Sequence, residues 1–197
     1  MRSATILKGC VCAALVLAPA MHAATMHSHE CKAGPTTAAS YTWNFKQEAN
    51  NLFRDIQDTA RQAATTADRL ESMGENGEVS WQDQADHLDM LRSQVNDMGR
   101  KLCRLETIRR VLDPWQRKTV DRLSPELHLI ANHVQWAIQF GNTNQNYLWS
   151  PVYQTYTKDA YHEASAVAHT AGLAVEYAQV QSEYHNLRGD LGLRTSP

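Results

Sequence analysis

The sequence predicts an all-α protein, folded as an antiparallel up-and-down bundle of about four long helices. Apolar residues recur every three or four positions over long stretches, as expected for helices that bury one stripe. Short breaks rich in glycine, proline and asparagine separate these stretches, and strand-like alternation persists nowhere in the sequence. Long helices joined by short breaks pack most simply as neighbours of alternating direction. The chain of 197 residues, 43% of them hydrophobic, is long enough for one domain with a core.

Helix 1 opens the predicted bundle domain, which spans residues 41–190. It is predicted from Tyr41 to Met73, and a loop signal at residues 74–77 ends it. Apolar residues spaced seven apart mark the stripe that should face the core. These residues are Ala49, Ile56, Ala63 and Leu70.

Helix 2 carries the clearest periodicity in the chain. It is predicted to begin at Ser80, a capping residue type, with the acidic Asp83 three positions later. Asp113 and Pro114 end or kink it, because proline lacks the amide donor and restricts the residue before it. Two heptad rows predict a narrow packing seam. The rows are Trp81, Leu88, Val95 and Leu102, and Leu91, Met98, Leu105 and Leu112.

Helix 3 is predicted from about Pro125 to Phe140. Ser124, Pro125 and Glu126 form the pattern of a cap, a first-turn proline and a first-turn acid. Residues 114–123 form a short helix of their own, or they join helix 3 through a kink. The sequence leaves both arrangements open.

Helix 4 is predicted from Val152 or Thr157 to Leu187. The loop before it, residues 141–151, contains two aromatic residues and a leucine, which predicts that it folds back on the bundle. Residues 191–197 are predicted to be a disordered tail. One side of helix 4 is rich in alanine, and this small-residue side is expected to face the core.

Helices 3 and 4 each present a second apolar face, roughly opposite the first when residues are placed at 100° steps. A helix that is buried on one side needs only one stripe, so a second stripe indicates further packing. The loop, the N-terminal segment, a second subunit or another protein could cover it. The residues of these possible interfaces are Leu129, His133, Trp136 and Phe140 on helix 3, and Leu173, Tyr177, Val180, Tyr184 and Leu187 on helix 4.

Residues 1–23 are predicted to be a secretory signal peptide. Arg2 and Lys8 give it a positive start, and a short apolar run follows them. That run is shorter than the roughly 20 residues that cross a bilayer, and Ala23 is the preferred last residue before cleavage. No later segment is apolar enough to span a membrane. The mature protein is therefore expected to be exported, in a periplasm or outside the cell.

Residues 24–40 are predicted to be a flexible segment, because they are polar and lack an apolar period. His27, His29 and Cys31 place imidazole and thiolate donors close together, which suits copper or zinc. In an oxidising compartment, Cys31 and Cys103 are also candidates for a disulfide. The alternative is a buried Cys103 and a free Cys31.

The functional prediction rests on surfaces, since the chain shows no catalytic motif. A net charge of −2 without a basic patch argues against binding to nucleic acid. No glycine-rich phosphate loop and no nucleophile elbow occurs in the sequence. We expect an exported non-enzymatic bundle without a cofactor, which acts by self-association as a homodimer or by binding a protein partner. The alternative is an exported copper- or zinc-binding protein that uses the N-terminal histidines and cysteine.

Overall fold

The computed structural model describes residues 43–75 and 79–192, which form four α-helices and two short 3-10 turns without any strand in these ranges. The predicted signal peptide (1–23) and flexible segment (24–40) lie outside the described residues, as do residues 193–197 of the predicted tail. The helices are α1 (Phe45–Glu75), α2 (Trp81–Thr107), α3 (Pro114–Thr143) and α4 (Pro151–Asp190), and the 3-10 turns are Arg109–Val111 and Gln145–Tyr147.

The four helices pack as an antiparallel up-and-down bundle, which confirms the predicted fold class. Each helix packs mainly on its two neighbours, so that α1 and α3 occupy opposite corners, as do α2 and α4. The α1 stripe at intervals of seven is fully buried, and both heptad rows of α2 are buried except for the half-buried Trp81. None of the described helices is long and apolar enough to cross a membrane.

The start of α2 follows the predicted capping pattern. The Asp83 amide donates a hydrogen bond to Ser80 Oγ at 3.1 Å, and Ser80 Oγ donates to the Asp83 carboxylate at 2.7 Å. Ser80 therefore satisfies one of the amide groups that a helix start leaves without an intrahelical partner. At its other end, α2 gives way to a 3-10 turn before the predicted break at Asp113 and Pro114.

Of the two arrangements that the sequence left open, the structure shows residues 114–123 joined to helix 3, since α3 begins at Pro114 and runs through Pro125 without a break. Pro125 is exposed, so the Asp121 carbonyl that it leaves without a helical donor lies on the solvent side. The opposite side of α3 is a continuous buried stripe, and burying it outweighs the local preference for a break. This stripe comprises Val120, Leu123, Leu127, Ile130 and Val134.

A fully buried glutamine joins the start of α3 to α1. The Asp113 amide donates to Gln116 Oε1 at 3.0 Å, while Gln116 Nε2 donates to the Lys46 carbonyl at 3.0 Å and to Asn50 Oδ1 at 2.8 Å. The buried amide group thus has partners for its oxygen and its nitrogen, as burial of a polar group requires. These bonds fix where α3 begins relative to α1.

The alanine-rich side of α4 faces α1, as the sequence predicts. Ala160, Ala164 and Ala171 are buried there, and the Gln57 side chain of α1 packs so closely on Gly172 that a Cβ atom on that residue would lie 2.5 Å from Gln57 Nε2. Small side chains on this side of α4 allow close packing against α1.

Candidate protein-contact surfaces

The second apolar face of α3, called here the α3 face, consists of Leu129, His133, Trp136 and Phe140. Much of it is covered from within the chain, since the ring centroid of Phe140 lies 6.1 Å from that of Tyr153. Trp136 lies 5.9 Å from Tyr156 and 5.3 Å from the His133 ring. Leu129 and Trp136 nevertheless remain nearly half exposed. The N-terminal half of α4 therefore anchors the α3 face but does not close it.

Partly buried polar contacts between α3 and α4, called here the polar cluster, lie along the α3 face, and sequence reasoning missed them. Thr170 Oγ1 donates to Glu126 Oε1 at 2.9 Å, while Glu126 Oε2 has no hydrogen-bond partner among the described residues. Burial raises the pKa of Glu126, although the bond from Thr170 opposes that effect. On the same side, His133 Nε2 lies 3.8 Å from Asp159 Oδ2. The cluster joins α3 to α4 by polar contacts instead of forming an open site.

The second apolar face of α4, called here the α4 seam, is less covered by the described residues than the α3 face, although the Tyr177 ring contacts Trp115. Its residues follow one another at intervals of four, three, four, three and four, which is the spacing of a heptad seam. Every one of them is exposed, with Val180 at 61%. Leu191 lies beyond the predicted end of the helix and was missed, although its spacing from Leu187 could have identified it. The α4 seam comprises Leu173, Tyr177, Val180, Tyr184, Leu187 and Leu191.

The outer part of the α4 seam is exposed because α4 extends past its neighbours, past α3 from Val180 onwards and past α1 from Leu187 onwards. The Trp115 ring lies 4.9 Å from the Tyr177 ring, so Pro114, where α3 begins, is level with residue 178. Gln57 faces Gly172, so that Phe45, where α1 begins, is level with residue 184. At 1.5 Å per residue, α4 projects about 18 Å past α3 and about 9 Å past α1. No described residue of α4 after Ala174 is buried.

Side chains beside the α4 seam are held along the helix. Gln181 Nε2 donates to Tyr177 Oη at 3.1 Å, and the Arg188 guanidinium lies 5.6 Å from the centre of the Tyr184 ring. Glu183 accepts a hydrogen bond of 2.8 Å from a glutamine one turn earlier. Polar groups therefore flank the exposed apolar row, in the arrangement of a helix that packs against another helix.

The predicted metal residues His27, His29 and Cys31 lie outside the described residues. Within the described ranges, no group of three or more His, Cys, Asp or Glu side chains is placed to hold a metal ion. Cys103 is disulfide-bonded, and its predicted partner, Cys31, lies outside the described residues. The metal prediction and the predicted pairing of these two cysteines stay predictions.

A shallow groove of about 440 Å³ lies between α1 and α4. Its walls are the exposed sides of both helices, with Arg61 and Asp68 on one side and Tyr161 on the other. Arg61 and Asp68 are both solvent-exposed, so neither points a desolvated group into the groove. Concave sites for small ligands instead bury most of the ligand surface and present convergent polar groups. The groove therefore does not compete with the two apolar surfaces as a candidate site.

Comparison of the chain with protein-family models, with curated proteins and with solved structures gives no match. A helical bundle by itself carries no particular function. What the protein does has to be argued from its own surfaces.

Proposed function

We propose that the chain is an exported, non-enzymatic helical bundle that binds other protein chains through the α4 seam, assisted by the exposed part of the α3 face. One observation carries the proposal. The last third of α4 bears a regular row of large apolar side chains, and none of its residues is buried. Contiguous exposed apolar surface of this kind marks interaction sites in soluble proteins.

The free energy available at the α4 seam is large enough for binding. Full burial of one leucine, valine or aromatic side chain contributes about 1.5–3 kcal/mol. Six seam residues, each already partly shielded, leave several kcal/mol to be gained when a partner covers them. Isolated helices shorter than about 12–15 residues are also marginal in water. A partner on the α4 seam would therefore stabilise the projecting end of α4 as well.

The α3 face supports the proposal through Trp136. Its side chain is 44% exposed while its ring contacts His133 and Tyr156. An aromatic ring that is held by its neighbours and still open to solvent loses little conformational entropy when it is covered. Tryptophan is also one of the residues that most often dominate binding energy at interfaces.

Two features support export as part of the proposal. The N-terminal residues have the charge and apolar pattern of a signal peptide. In addition, Cys103 is disulfide-bonded, and disulfides persist mainly in oxidising compartments. N-terminal sequencing of protein recovered from outside the cytoplasm is expected to begin after residue 23. Recovery of the chain only inside the cytoplasm, with residues 1–23 still attached, would contradict export.

The contact proposal is tested with Val180→Asp on the α4 seam and Trp136→Ala on the α3 face. Val152→Asp is the matched control, since Val152 is another half-exposed valine at the far end of α4. Self-association is measured by sedimentation, and partner binding by quantitative affinity purification from the native compartment. We expect Val180→Asp to reduce either self-association or partner binding strongly, and Trp136→Ala to reduce the same quantity less. Val152→Asp should leave both quantities unchanged. If neither test variant alters either quantity, the proposal is wrong.

A further inference from the structure

We propose that the α4 seam pairs with the α4 seam of a second copy of this chain, as a parallel two-stranded coiled coil along a two-fold axis. This inference rests on the proposed function and names its partner. Two observations carry it: the heptad spacing of the α4 seam, and the charges that flank it.

The spacing makes the α4 seam self-complementary. One core position of the heptad is occupied by Leu173, Val180 and Leu187, and the other by Tyr177, Tyr184 and Leu191. In a parallel pair, like positions meet across the axis, so each apolar layer of one copy is matched by the same layer of the other. Leu187 and Leu191 lie past the starts of α1 and α3, and the earlier seam residues are exposed on the side of α4 opposite its buried alanines, so the second helix can approach from outside the bundle.

The flanking charges select the parallel orientation. On one side of the seam, an acidic residue directly precedes each of Tyr177, Tyr184 and Leu191; these acids are Glu176, Glu183 and Asp190. On the other side, Gln181 follows Val180 and Arg188 follows Leu187. In a parallel pair, each acidic residue faces the partner residue five positions further along, which belongs to the other side. Glu183 of each copy then lies beside Arg188 of the other, which gives two ion pairs related by the two-fold axis.

An antiparallel pair places the same charges badly. The acidic side of one seam then faces the acidic side of the other, so that Glu183 lies beside Glu183 of the second copy and Glu176 lies beside its Asp190. Like charges across a helix interface are unfavourable and set the orientation of coiled coils. The position of Arg188 supports the parallel pair, because its guanidinium lies over Tyr184 at the edge of the α4 seam.

The segment before α1 is a poor occupant of the α4 seam. Residues 24–42 contain no run of large apolar side chains at heptad spacing. A segment of that composition cannot supply a row of side chains to match six apolar positions. A second α4 can, because it carries the same row.

The oligomeric state of the full chain, purified without reductant, tests the inference. Sedimentation equilibrium over a wide range of concentrations is expected to show a monomer–dimer equilibrium. Val180→Asp should weaken dimerisation by at least about tenfold, because it places an unpaired charge in the interface of both copies. Val152→Asp should leave the dimerisation constant unchanged, and circular dichroism should show that both variants keep the helical content of the original chain.

The orientation is tested by exchanging the flanking charges. Glu183→Arg and Arg188→Glu should each weaken dimerisation by about three- to tenfold, since each opposes like charges across the axis. The double variant restores the pairing with reversed signs, so its dimerisation should return close to that of the original chain. A double variant no better than the weaker single variant would overturn the parallel pairing.

A monomer at every concentration would overturn the inference, and so would a dimer that survives Val180→Asp. These outcomes differ from failure of the proposed function. A monomeric chain whose binding to another protein is abolished by Val180→Asp keeps the proposed function and assigns the α4 seam to a different partner. A monomeric chain whose binding to other proteins is also unchanged by Val180→Asp and Trp136→Ala removes both.

Discussion

The α3 face and the α4 seam have the same sequence signature and different surroundings. Each is a second apolar row on a helix whose first row fills the core. The α3 face lies opposite the N-terminal half of α4, where Tyr153 and Tyr156 cover part of it. The α4 seam contacts α3 only near its start, where the Tyr177 ring meets Trp115, and its last residues, Leu187 and Leu191, lie past the starts of both α1 and α3. The length of a helix and its register against the neighbouring helices therefore decide whether an apolar row is packed or left exposed.

The charged groups near the two surfaces differ in the same way, because those near the α3 face are partly buried and those near the α4 seam are beside solvent. Glu126 lies in a partly desolvated cluster between α3 and α4, and its pKa is raised. Glu183 and Arg188 lie on the projecting end of α4, beside solvent. Electrostatics near the α3 face therefore bears on folding, whereas electrostatics at the α4 seam bears on association.

Phe140→Ala is expected to lower the free energy of unfolding by about 2 kcal/mol. Full burial of a phenylalanine makes this substitution worth about 3–5 kcal/mol, and Phe140 is only partly buried against Tyr153. Urea denaturation followed by circular dichroism measures the change. A loss below about 0.5 kcal/mol, the usual range for surface substitutions, would show that the α3 face is not anchored on α4.

Tyr153→Phe is expected to raise the free energy of unfolding by about 1 kcal/mol. Tyr153 is fully buried, and its hydroxyl has no hydrogen-bond partner among the described residues, so removing it relieves an unfavourable desolvation. Burial also raises the pKa of Tyr153 above its ordinary value of 10.0. Its contribution is therefore fully present below pH 10.0 and is lost as the pH rises further, because the unfolded chain ionises first.

The two parts of this prediction are measured by urea denaturation at neutral and alkaline pH. The gain of Tyr153→Phe over the original chain should increase above pH 10.0. The other six tyrosines are the same in both proteins, so the comparison isolates Tyr153. A variant less stable than the original chain at neutral pH would mean that the hydroxyl is hydrogen-bonded.

Glu126→Gln is expected to stabilise the fold at about pH 7, by less than Tyr153→Phe does. Because burial raises the pKa of Glu126, its stabilising contribution is present below pH 4.5 and is lost as the pH rises. Glutamine keeps an oxygen that accepts the bond from Thr170 and carries no charge. Denaturation at about pH 7 and at about pH 3 should show a gain that vanishes in acid.

Glu48→Gln is the matched control with the opposite sign. Arg104 Nε donates to Glu48 Oε1 at 2.6 Å, and this bond holds the pKa of Glu48 below its ordinary value. Its stabilising contribution is present above pH 4.5 and is lost as the pH falls, so Glu48→Gln should be less stable at neutral pH. If both variants shift stability in the same direction, the desolvation of Glu126 is not the cause.

The sequence predicted the bundle well because α1, α2 and the buried side of α4 are periodic over long stretches. It left the start of helix 3 undecided between Pro114 and Pro125, because Ser124 and Pro125 give a strong local signal for a helix start. That signal concerns one turn, whereas the buried stripe from Val120 to Val134 spans several turns and prevails. Local rules cannot weigh a proline against packing that depends on a neighbouring helix.

For the candidate site, the sequence identified both second faces but could not say which one is covered. Cover depends on which residues of α3 and α4 lie side by side, and that register follows from contacts such as Trp115 with Tyr177. The bond between Glu126 and Thr170 escaped prediction for the same reason, since the two residues are 44 positions apart. Periodicity therefore shows that a face exists, and tertiary register shows whether it is free.

Leu187→Ala is expected to have the smallest effect, a change of less than about 0.5 kcal/mol in the free energy of unfolding of the monomer. Leu187 is exposed on the projecting end of α4, and no described residue near it is buried. Urea denaturation at a concentration low enough to hold the chain as a monomer gives this value, with Phe140→Ala beside it as the contrast. The same variant should weaken dimerisation at high concentration, because it removes one apolar layer from each copy. A loss of more than about 1 kcal/mol in the dilute monomer would mean that the end of α4 is already packed, and the distinction between the two surfaces would fail.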